Sequence, residues 1–189
     1  MDDTSLDHAL PPMLEALEKA LSRPLETGVA RTEVPLAGGE PLAWLQGQRG
    51  WTQYYWAERG GAFEMAGIGE ADIIAPSGVC GNAGLFERMR ARLPGTGTAP
   101  RYYGGFRFHD GPVKGARWAK FSAYRFVVPR FEMVRRGRDV FFAYNVMVNP
   151  PVDVGAARDG LRAGFARIGA EERELGSLPR ILDRADLPG

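Results

Sequence analysis

Cysteine is almost missing from this 189-residue chain: Cys80 stands alone. A single thiol excludes an internal disulfide and a thiolate metal cluster, and a reducing, cytoplasmic setting is expected. Histidine is nearly as scarce, with only His8 and His109. Charge of one sign is lacking too, since 24 Lys plus Arg face 23 Asp plus Glu. General nucleic-acid binders and binders of anionic membranes carry a basic excess that this balance does not provide. No run of about 18 apolar residues occurs, so no helical membrane span is expected. The acidic opening MDDTSLDHAL has no basic stretch leading into an apolar one, unlike a signal peptide. There is no Walker A sequence and no Gly-x-Ser-x-Gly elbow.

Glycine (25) and proline (14) are plentiful, but they fall between periodic segments and so read as turn punctuation rather than disorder. Met13, Leu14, Leu17, Ala20 and Leu21 recur at helical spacing in PPMLEALEKALSR, which tandem prolines open and Pro24 follows. GVARTEVPL alternates loosely, as a strand does, and PLAWLQGQ reads as a short helix or a turn. WTQYYWAERGGAFEMAGIG forms a hairpin turning at Gly60–Gly61, and CGNAGLFERMRARL a second amphipathic helix. RYYGGFRF is a further strand. VVPRFEMVRRG and DVFFAYNVMV make a second hairpin, with Pro129 set awkwardly inside its first arm. Val154, Ala157, Leu161, Phe165 and Ile168 predict a last helix, and residues 171–189 trail off like a linker after one domain over 1–170. Hairpins separated by helices point to an α+β fold with antiparallel sheet. The second hairpin is apolar on both faces and needs cover on two sides.

Candidate chemical groups are few, and each has a plain alternative. His109, beside Asp110 in a Gly-Pro turn, would have to carry any metal or hydrolase chemistry, yet reads better as a loop residue. Cys80 at a helix start could have a lowered thiol pKa, or simply be a small half-buried residue. Gly67-x-Gly69 lacks the third glycine of a dinucleotide loop and is explained by a strand bend. Trp51, Tyr54, Tyr55 and Trp56 could stack bases, but without a basic excess they read as core and sheet surface. Arg130, Arg135, Arg136 and Arg138 could hold an anion, whereas turn arginines are usually solvated. No catalytic, cofactor-binding or metal-binding residue is assigned from these groups.

Four motifs in order resemble the N-terminal half of isochorismate synthases, in the chorismate-utilising family. They are Tyr55-Trp56-Ala57-Glu58-Arg59, Gly67-Ile68-Gly69-Glu70-Ala71, Gly104-Gly105-Phe106-Arg107-Phe108 and Pro129-Arg130-Phe131-Glu132, within roughly residues 40–150. The closing RADLPG resembles the connector to the family's second half. The resemblance implies an Mg²⁺-dependent conversion of chorismate to isochorismate, in menaquinone or siderophore biosynthesis, within a fold of two face-to-face antiparallel sheets. It also implies that the catalytic lysine strand, the metal-binding glutamates and the carboxylate loop lie in a C-terminal chorismate-binding half absent from this chain. GTAPR at 97–101 echoes that loop but falls inside the first-half pattern, and is set aside. The chain alone is therefore expected to be inactive and to bind no Mg²⁺. Its partner is expected to be the missing half, in the same chain or a separate subunit, with self-association through uncovered strands as a further expectation. A salicylate synthase, a stand-alone non-catalytic binding or scaffolding module, and a small hydrolase built on His109 are the alternatives.

Overall fold

Apolar residues at every fourth position decide the first helix. A computed structural model of the chain describes residues 6–22, 27–76, 84–93, 99–108 and 122–176. It places helix α1 at Leu10–Leu21, after a 3-10 turn at Leu6–Ala9. Met13, Leu17 and Leu21 form its buried stripe, and the prolines occupy the first turn, where a missing N–H costs no helical bond. Helix α2 spans Pro41–Gly47, α3 spans Leu85–Arg92 and α4 spans Val154–Gly176. The strands are β1 (Gly28–Leu36), β2 (Gln53–Ala57), β3 (Phe63–Ile74), β4 (Tyr103–Phe106), β5 (Tyr124–Arg136) and β6 (Asp139–Val148).

The strands form one antiparallel sheet in the order β1-β6-β5-β3-β2, with β4 also pairing to β5. The α+β class and both hairpins read from the sequence are present. Each hairpin turn uses a left-handed glycine, Gly61 at φ 73° and Gly137 at φ 61°. Helix α4 buries Ala157, Leu161, Phe165 and Ile168, the positions its spacing predicts. It runs on to Gly176, past residue 170 where a linker is expected to begin, and residues 177–189 lie outside the described residues. Cys80 and His109 lie outside them as well. Among the described residues no helix is long and apolar enough to cross a membrane.

Strand alternation splits the sheet into two unlike faces. On one face Val34, Ile68, Phe131, Met133, Phe142 and Tyr144 pack with Leu17, Trp44, Leu161 and Phe165 in a single core. Fully burying each large side chain contributes about 1.5–3 kcal/mol. A second, smaller cluster joins Ile74 and Tyr124 to Leu85 and Met89 of α3.

Pro129 sits in a central strand, not at an edge, and the irregularity around it explains how. Along one side of β5, the β4 ladder covers residues 124–127 and the β6 ladder covers 131–136, so Pro129 lies in the gap between them. On the other side β3 carries an extra residue, Ala71, between Glu70 opposite Pro129 and Asp72 opposite Val128. That bulge, read from the sequence as one option, accommodates a residue with no N–H to donate. Gly67 completes the fit, because a Cβ there would come within 2.7 Å of the Pro129 ring. Two of the sequence motifs are thus in direct contact. Gly67→Ala is expected to destabilise the protein by about 1–3 kcal/mol through overpacking. Urea denaturation checks this, and an unchanged midpoint would contradict it.

Candidate functional site

The face turned away from α1 and α4 carries charge where a sheet interior is normally apolar. β1 contributes Arg31 and Glu33, β5 contributes Glu132 and Arg136, and β6 contributes Asn145. Register brings them together: Arg31 lies opposite Asn145, and Glu33 and Glu132 lie on either side of Ala143. The small Ala143 side chain leaves room between the flanking strands for both glutamates. Arg31 donates to Glu33 at 2.9 Å and to Asn145 Oδ1 at 3.1 Å, and lies 3.0 Å from Glu132 Oε2. Arg136 grips Glu33 with both terminal nitrogens, at 2.6 and 2.8 Å. Asn145 Nδ2 donates to Glu132 Oε1 at 2.7 Å and to the Pro129 carbonyl at 2.8 Å. The side chains of Arg31 and Glu132 are only 4% and 1% exposed.

Such burial is tolerable only because every charge meets its opposite in bidentate or branched contacts. Burial pushes the Glu132 carboxyl above the ordinary glutamate value, against the pull of Arg31. Burial pushes Glu33 upward too, but Arg136 and Arg31 outweigh it and hold this carboxyl below its ordinary value. At Arg31 desolvation works against the charge, yet Glu132 and Glu33 keep it firmly protonated.

The residues leading into β4 fold over this network. Ala99, Arg101 and Tyr103 line a water-sized cavity with Arg31, Phe63, Glu132, Val134 and Arg136. Arg101 stacks on the Phe63 ring at 4.4 Å. Burial, then the nearby Glu132 charge, raises the Tyr103 phenol well above its usual range. The second sheet face, whose cover is not evident from sequence, is therefore partly roofed by this chain itself: Met65, Val134 and Ala143 are all buried.

The other sequence candidates do not converge on a site. Arg130 donates to the Glu70 carbonyl, Arg135 to Glu40 and Glu64, and Arg136 to Glu33, while Arg138 is exposed in the turn. Three of these four arginines are thus structural ties rather than solvated turn residues. Trp51 packs on Phe131 with Arg167 over its ring, and Tyr55 donates to Glu64. Tyr54 donates to Glu70, and burial, then that bond, pushes its phenol up to about 12. Trp56 stays 47% exposed beside Phe63. Gly69 adopts φ 62° against Trp51, next to the bulge, so the Gly-x-Gly pair shapes a strand bend. His8 is exposed in the first turn. Arg31, Glu33, Arg101 and Tyr103 were beyond sequence reasoning; the one available signal was two charged residues within an otherwise alternating strand.

A single antiparallel sheet with helices on one face and a buried ion network on the other defines an α+β domain. The family described as chorismate binding enzyme matches residues 15–180, and the chain belongs to that family. Its fold is similar to that of MenF, the menaquinone-specific isochorismate synthase from Escherichia coli. The TM-score is 0.57 at 19% identity, over 85% of this chain and 34% of that one. The chain thus spans about a third of the MenF length. No curated protein matches.

Mg²⁺, which the family implies, does not fit the donors among the described residues. Among the described residues no three His, Cys, Asp or Glu side chains converge. Glu33, Glu132, Glu70 and Asp72 each face an arginine.

Truncating one partner of the buried pair strands the other's charge, so Glu132→Ala is expected to cost about 3–5 kcal/mol of stability. Glu33 gives a pH signature. Its lowered pKa supplies stability that is present above the ordinary glutamate value of 4.5 and lost as pH falls through the folded value. Glu33→Gln is therefore expected to be less stable than the parent by about 1–3 kcal/mol at pH 7. The gap should narrow on acidification below pH 4.5. Denaturation at a series of pH values checks both statements, and a gap that widens in acid would contradict the second.

Proposed function

We propose that this chain is the N-terminal domain of an isochorismate synthase, forming one half of a fold whose catalytic half lies in the same chain or in a separate subunit. Family membership over residues 15–180, joined to a fold that accounts for about a third of MenF, carries this reading. The complete enzyme would convert chorismate to isochorismate in the cytoplasm, supplying menaquinone or siderophore synthesis. Mg²⁺ would there neutralise substrate carboxylate charge, held by residues of the other half.

This chain's own residues contribute rigidity rather than chemistry. Among the described residues its buried acids are committed to arginines, which leaves none of them poised to accept or donate a proton to a substrate. What it offers is a stiff, helix-backed sheet and exposed aromatic surface at Phe86 and Phe106, which the partner half would cover.

The purified chain, given chorismate and Mg²⁺, is expected to form no isochorismate. Mixed with a chorismate-binding half, it is expected to form a stoichiometric complex with measurable isochorismate production. Turnover by the chain alone would overturn the division of labour. A stable monomer that binds no such half would favour the non-catalytic binding module instead.

A further inference from the structure

The cavity above the ion network has an unbalanced set of donors. Arg31, Arg101 and Arg136 line it with one carboxylate, Glu132, while a second, Glu33, pairs with Arg31 and Arg136 from outside the lining. Arg31 and Arg136 are matched by those two acids. Arg101 meets no carboxylate among the described residues, only the face of Phe63. Tyr103 also lines the cavity, and among the described residues its hydroxyl donates to no side chain or carbonyl. Two free donors and one uncompensated positive charge therefore face a space that holds about one water molecule and opens to solvent.

We propose that this cavity is a binding site for a small monocarboxylate. One carboxylate oxygen takes the place of the single water and accepts from Tyr103. The other lies at the mouth, where the exposed Arg101 guanidinium can donate to it. Phe63, with Trp56 beside it at 5.6 Å between ring centroids, provides an apolar shelf for the rest of the ligand. Charge selects the class. A monoanion cancels the excess of one positive charge, whereas a dianion such as phosphate would bring its second charge towards Glu132 in a poorly screened space. The site is complete within this chain and needs no second half, so it goes beyond the function proposed above.

The test uses the full 189-residue chain, without any measurement of turnover. Acetate and benzoate are titrated at constant ionic strength and followed by amide chemical shifts, with inorganic phosphate as competitor. Saturable binding is expected, with shifts centred on Arg101, Tyr103 and Glu132, benzoate binding more tightly than acetate, and phosphate competing weakly. Arg101→Gln is expected to weaken binding by at least about tenfold, the loss of one charge-assisted contact. Tyr103→Phe should weaken it several-fold, and Arg101→Lys should restore part of the loss. Arg101 is exposed, so its variants are expected to keep the parent's melting temperature, which verifies the fold. Unsaturable shifts, affinity unchanged in Arg101→Gln, or equal competition by phosphate would each overturn the proposal.

Discussion

Glu132 is the point on which the open face of the sheet depends. Its buried carboxylate receives Arg31 from β1 and Asn145 from β6, and Asn145 in turn holds the Pro129 carbonyl of β5. Three strands are tied together at the place where the backbone ladder is interrupted. The side-chain bonds do there what the missing ladder bonds do elsewhere, and they leave no buried charge unmatched. Proline at 129 and polar residues at 132 and 145 are one solution to one problem. A central strand must change partner from β4 to β6 without exposing its unpaired groups.

The same network occupies the buried acids on this face. Acid–base catalysis needs a carboxyl or imidazole that is free to exchange protons near a substrate. Here Glu33 and Glu132 are fixed by two arginines, and Asp72 is held by Arg92 and Tyr102. The chain belongs to the chorismate binding enzyme family and, among the described residues, commits these acids to structure. Arg101 and Tyr103 lie at the cavity above the network, and no acid pairs with Arg101 among the described residues.

Local periodicity made most elements legible. The stripes Met13–Leu17–Leu21 and Ala157–Leu161–Phe165–Ile168 are visible because a helix face is written in nearby residues. Both hairpins are visible because their glycines mark the turns. The ion network was not legible, because it is written in strand register. Arg136 and its partner Glu33 are 103 residues apart, and Arg135 is 95 residues from Glu40. Seen along the chain, those arginines cluster at a hairpin tip and look solvated; seen across the sheet, each has its own acid. The cover of the second face is illegible along the chain for the same reason, since residues 99–103 carry no periodic signal that they fold back over β1 and β5.

The claim that the Arg31–Glu132 pair organises this face is tested most directly by a double-mutant cycle on stability, using Arg31→Met, Glu132→Leu and the double variant. A coupling energy of about 1.5–3 kcal/mol is expected between the two sites, with the double variant less damaged than the sum of the singles. Additive losses, with coupling near zero, would contradict it: the two side chains would then be buried side by side without holding the sheet together.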